Sequence, residues 1–118
     1  MPKVNHDLLT SKFTEVRYED SLLKYNAPHH FAVDSVATGE RLAEVDFQEG
    51  PIKECGVNGV CNEDLIAMVI CRLEHFQNSE WSCRENAMAI TKLEEALLWL
   101  RKRTIGRENR GVDGTSNK

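Results

Sequence analysis

Five cations fall within ten residues near the end of the chain: Arg101, Lys102, Arg103, Arg107 and Arg110. Arginine presents a planar fork of donors that suits bidentate contact with phosphate. A helix C-terminus attracts cations through its dipole, but one or two charges satisfy that demand. Five in a chain of net charge -4 exceed it, and they predict contact with a small phosphorylated ligand. The same net charge, with a pI near 5.6, argues against non-specific nucleic-acid binding through overall charge. Cys71 and His75 lie one helical turn apart, which is the start of a metal site but only two ligands. A free cysteine is more often a small core hydrophobe, so no metal is assigned. His29 and His30 follow Pro28 and read as polar residues entering a strand. Cys55, Cys61, Cys71 and Cys83 lack CxxC spacing and read as reduced, structural thiols. No catalytic residue and no cofactor are assigned.

Residues 62–103 must position this basic end. They read as two helices folded back on each other. Asn62 suits an N-cap, with Glu63 and Asp64 where the dipole favours negative charge. Leu65, Ile66, Val69, Ile70, Leu73 and Phe76 then recur at helical spacing. Ser82 and Glu85 form a capping-box pattern for the second helix. Cys83, Asn86, Ile90, Leu93, Leu97, Leu100 and Thr104 follow as one coiled-coil-like seam. Gly106 marks the expected stop. The short link at 77–81 predicts antiparallel neighbours.

The 118 residues suit one domain with tails. Chains this short often finish their burial by oligomerising. No apolar run approaches the ~18 residues of a membrane span, and no signal-peptide pattern opens the chain. Residues 1–27 form an N-terminal arm, where Leu8, Leu9, Phe13, Val16, Leu22 and Leu23 suit either short helices or an arm on a neighbouring subunit. Residues 28–50 carry a β-hairpin with alternating strands and a turn at Thr38-Gly39, Val45 and Phe47 facing the core. Residues 51–110 hold a glycine loop and the helical hairpin. In that loop, Gly56 and Gly59 suit positive φ, while Asn58-Gly59 before a helix start is also a place for an anion. Residues 111–118 read as a flexible tail. The expected fold is α+β: a small antiparallel sheet, then an antiparallel two-helix hairpin, in an oligomer.

Distance constrains any site. Arg103 lies seventeen positions after Asn86 on one helix, or about 25 Å. Phe76 ends the preceding helix and lies near Asn86 across the hairpin. If Phe76, Asn86 and the arginines serve one pocket, the arginines come from a second chain.

Gly-Pro-Ile-Lys-Glu, Gly-Val-Asn-Gly, the Asn-Glu-Asp-Leu helix start, Cys-Arg-Glu-Asn and Lys-Leu-Glu-Glu-Ala-Leu-Leu-Trp-Leu resemble the phage anti-Thoeris sponge proteins. These share their helical hairpin with anti-CBASS cyclic-oligonucleotide sponges. The resemblance implies dimers assembled into hexamers in the cytoplasm of an infected bacterium. It implies sequestration of glycocyclic ADP-ribose without cleavage, and in some members of cyclic di- or trinucleotides at separate sites. It implies that Phe76 stacks on a base, that Asn86 hydrogen-bonds the ligand, and that Arg103 and Arg107 reach its phosphates from the adjoining chain. Two other readings stay open: an enzyme that degrades such a signal with Glu80 or His75 as base, and a helical-bundle assembly protein with no small ligand.

Overall fold

The computed structural model describes every residue of the chain except 22, so Leu22 lies outside the described residues. The chain divides into two compact units, Met1–Val60 and Cys61–Lys118.

The first unit is a three-stranded antiparallel sheet of β1 (Thr14–Tyr18), β2 (His30–Ser35) and β3 (Arg41–Asp46), in that spatial order. The hairpin is the expected one. The third strand was not expected, because in residues 14–18 only Val16 and Tyr18 carry the apolar alternation. The register explains it: Val16 pairs with Val33, and Tyr18 with Phe31, whose other partner is Val45. These side chains share one sheet face, where Phe31 meets Phe47 edge-on at 5.4 Å. Neither a single strand nor the hairpin could bury that face alone. Leu8, Leu9, Phe13 and Leu23 stay exposed, so they form no helix core.

The opposite sheet face is ionic. Asp34 accepts from Arg41 at 2.8 Å and lies 3.5 Å from Arg17. The Arg41 guanidinium holds the Asp34 carboxyl below its usual range. His30 contacts Asp46 through Nδ1 at 2.8 Å and Glu49 through Nε2 at 3.4 Å. The hydrogen bond to Asp46 raises the His30 pKa above the ordinary imidazole value, with Glu49 adding to it. A raised folded-state pKa gives a contribution complete below about pH 6.5 and lost as pH climbs through the higher folded value. We therefore expect the thermal stability of the protein to fall over the range just above pH 6.5. His30→Gln should flatten that slope, as read by melting curves across pH 5.5–8.5.

The glycine loop packs with the sheet. It contains the short helix α1 (Ile52–Cys55), and Gly56 has φ 75° as expected. Gly59 does not have positive φ. It is glycine because a Cβ there would sit 2.4 Å from the Phe47 carbonyl carbon. That close approach lets Val60 pair with Phe47 beside the sheet. Several of this loop's donors are spent within the chain, which weighs against the anion reading. Asn58 N–H goes to the Gln48 side chain, Val60 N–H to the Asp46 carbonyl, and the Asn58 carboxamide to both backbone groups of Glu49.

The second unit is a helical hairpin of α2 (Asn62–Gln77) and α3 (Arg84–Asn109), packed against each other. Both caps lie one residue from their expected places. Cys61, not Asn62, is the N-cap of α2, because the Asp64 carboxylate accepts from Cys61 N–H at 2.8 Å. Cys83, not Ser82, caps α3: its Sγ accepts from Asn86 N–H at 3.4 Å. Gln77 explains the slip. Its carboxamide grips both the N–H and the carbonyl of Cys83, each at 2.9 Å, and holds that residue extended. The four cysteines are unpaired, but Cys55, Cys71 and Cys83 are exposed rather than core residues. Partial burial, with Asp64 and Glu63 close by, pushes the Cys61 thiol up, which keeps it protonated.

The expected α3 seam is the buried face. Asn86, Ile90, Leu93, Leu97, Leu100 and Thr104 are all half-buried, facing an α2 whose Ile70 is only 9% exposed. Val69, placed on the apolar face by its spacing, is half exposed. Gly106 does not stop α3, which runs on to Asn109. An interior glycine costs about 1 kcal/mol relative to alanine, too little to end a helix flanked by good formers. Gly111, at φ 71°, provides the stop instead. No helix among the described residues is long and apolar enough to cross a membrane.

Candidate ligand-binding site

The last three turns of α3 form an open groove of about 600 Å³, within the range of small-molecule sites. Trp99, Lys102, Arg103, Gly106, Arg107 and Arg110 line it. Trp99, Arg103, Gly106 and Arg110 follow at steps of four, three and four, so they share one helix face.

The five cations of this end are not equivalent. Arg101 pairs with Glu108 at 3.2 Å. Lys102 Nζ sits 4.9 Å from the centre of the Trp99 ring. Arg107 Nη2 donates to the carbonyls of Val112, Thr115 and Asn117 at 2.9, 3.0 and 3.0 Å. Arg110 donates to the carbonyls of Gly106 and Lys118. Arg107 and Arg110 thus satisfy carbonyls at a helix end, the ordinary role of cations there. The tail, expected to be loose, is bound back onto α3 by them. Arg103 is different. Among the described residues it has no ion pair, hydrogen bond or ring contact, and it faces the groove. An exposed guanidinium without an internal partner, in a groove lined by further cations, is suited to an anion from outside the chain.

Phe76 and Asn86 occupy the other end of the hairpin. Phe76 is half-buried, with the Arg72 guanidinium carbon 5.2 Å from its ring centre. Asn86 is half-buried in the first turn of α3, and its side chain makes no hydrogen bond among the described residues. The Gln77–Cys83 clamp brings these two residues to the same end. Within one chain the structure does not bring them to Arg103, which lies about 25 Å along α3. Arg103 and Arg107 do share one groove.

Lys102 and Arg110 were among the five cations singled out from the sequence, whereas Trp99 and Gly106 were not read as groove residues. The signal was there in the four-three-four spacing from Trp99 to Arg110, but Gly106 read as a terminus that broke it. Elsewhere, Cys71 Sγ lies 3.8 Å from His75 Nδ1, and that nitrogen is 2.8 Å from the Cys71 carbonyl. Among the described residues no group of three or more potential ligands could hold a metal ion.

A small antiparallel sheet followed by a two-helix hairpin defines the class of small α+β helical-hairpin proteins. The chain belongs to the family described as "Acb2/Tad1, hairpin domain", which matches residues 40–104, more than half of its length. It is 50% identical, over an alignment of 142 positions that spans the whole of both chains, to Thoeris anti-defense 1 of Bacillus phage SBSphiJ7.

Proposed function

We propose that this protein is a phage anti-defence sponge. It binds and sequesters the nucleotide-derived signal of Thoeris immunity, glycocyclic ADP-ribose, in the cytoplasm of the infected host and does not cleave it. Cyclic di- or trinucleotides of CBASS immunity are a second ligand class. The 50% identity to a Thoeris anti-defense protein, over the whole of both chains, supports the biological setting. The observation that carries the chemistry is Arg103, a groove cation without an internal partner.

In this reading Arg103 holds a phosphate, and Arg107 adds the guanidinium nitrogens that the tail leaves unused. Phe76 stacks on the base and Asn86 hydrogen-bonds it. The span of about 25 Å between the two ends means that one ligand takes Phe76 and Asn86 from one chain and the arginines from another. Retention rather than cleavage is supported by the groove lining, which is cationic and aromatic. Cations and a ring face stabilise a bound phosphate without supplying a general base. Homo-oligomerisation, from dimer to hexamer, is supported by how little one chain buries. Ala32 and Ile70 are the only buried apolar residues among those described, while Met68 on α2 and Leu98 on α3 are 60% and 71% exposed.

The test is a titration against glycocyclic ADP-ribose and a panel of cyclic oligonucleotides, followed by heating and mass analysis of the released ligand. Tight binding and release of the unchanged mass is the expected result. Ligand at a hundred times Kd should also add about 2.7 kcal/mol of stability. An altered mass would identify an enzyme instead.

A further inference from the structure

We infer that Trp99 and Gly106 are ligand-contacting elements of the basic groove: Trp99 holds a flat heterocyclic ring of the ligand whose phosphate sits on Arg103, and Gly106 leaves the floor open for it. This rests on the reading of Arg103 as a phosphate contact. It adds, from the basic end, a second ring contact besides the Phe76 that the adjoining chain contributes.

Two independent observations carry it. The first is Trp99 itself. It is 63% exposed, yet it stands one turn before Arg103 on the same helix face. Lys102 lies against its ring and increases the positive charge beside it. An indole face next to guanidinium groups matches a nucleotide, whose planar base and phosphate are joined through one sugar. Stacking on such a face is tolerant of base identity because every base has a π-face. The second is Gly106. It lies inside α3 with ordinary helical geometry, so no positive φ requires glycine there. A Cβ at that position would meet nothing within 4 Å, so no internal close approach requires it either. Alanine is the better helix former at such a site. What glycine provides is bare backbone on the groove floor between Arg103 and Arg110, where a ligand can approach closely.

The experiment uses the full chain and isothermal titration with two probes, adenosine monophosphate and ribose 5-phosphate. They share the phosphate and differ in the ring. The unmodified protein should bind the ring-bearing probe at least about tenfold more tightly. Trp99→Ala should bring the two affinities together by weakening only the first, and Trp99→Phe should keep most of the difference. Gly106→Ala should raise the melting temperature while weakening both probes. Equal binding of the two probes by the unmodified protein would overturn the inference, as would a ratio unchanged in Trp99→Ala. A fall in the mass of the assembly on sedimentation of Trp99→Ala would overturn it too, by making Trp99 an assembly contact. Arg103→Ala separates the two readings. If it abolishes binding of glycocyclic ADP-ribose while the Trp99 and Gly106 variants behave as the unmodified chain, only the present inference fails. If Arg103→Ala binds that signal as before, the phosphate reading has failed.

Discussion

Arg103→Ala should abolish capture of the nucleotide signal and leave the protein folded and assembled. The two halves of this expectation come from the same observation. Arg103 is exposed and makes no hydrogen bond or ion pair among the described residues. Substitutions at such positions usually change stability by no more than about 0.5 kcal/mol. Removing one partner of a desolvated, charge-assisted contact with a ligand costs about 2–5 kcal/mol. That corresponds to a loss of affinity of roughly 30- to 5,000-fold. A titration and a sedimentation run on the same sample read both quantities. If the variant falls apart or melts early, Arg103 is a structural residue of the assembly and the phosphate reading is wrong. Arg107 is a less clean probe, because its side chain also ties down Val112, Thr115 and Asn117. Its loss would release the tail and change the groove at the same time.

Mixing two inactive variants should restore binding. Asn86→Ala and Arg103→Ala each lack one end of the proposed pocket. In a two-fold dimer with shared pockets, a mixed pair has one pocket with both defects and one with neither. Random exchange makes about half of the dimers mixed, so about a quarter of all pockets should recover full affinity. The titration would show a tight component of that stoichiometry, absent from either variant alone. Pockets built within one chain predict no recovery at any mixing ratio. The span from Asn86 to Arg103 already makes that second outcome hard to reconcile with a ligand of nucleotide size, because a straight helix fixes their separation at about 25 Å.

Local pattern was enough for the elements whose burial is periodic. The α3 seam from Asn86 to Thr104 is the buried face that its three- and four-residue spacing describes. The β2–β3 hairpin follows from alternation and the turn at Gly39, which has φ 72°. The α+β class and the family were also legible, because helix and hairpin signals are carried by runs of residues. So was the excess of cations near Arg103, since charge can be counted without coordinates.

What local pattern could not supply was the outcome of competition between partners distant in sequence. Thr14–Tyr18 is a strand because Val33 and Phe31 lie beside it, and nothing within the five residues demands that pairing. The α3 cap moved to Cys83 because Gln77, six positions earlier, holds its backbone. Gly59 is glycine because Phe47 approaches it, not because of its own φ. Most of all, five equal-looking cations became unequal only in three dimensions. Arg101 found Glu108, Lys102 found the Trp99 ring, Arg107 and Arg110 found the carbonyls of the turned-back tail, and Arg103 was left facing the groove. The sequence by itself determined the β-hairpin, the helical hairpin, the family and the charge of the basic end, since these depend on residue type and spacing. Which cation is free to meet a phosphate was decided by tertiary structure, because a charge is available only where folding has given it no partner.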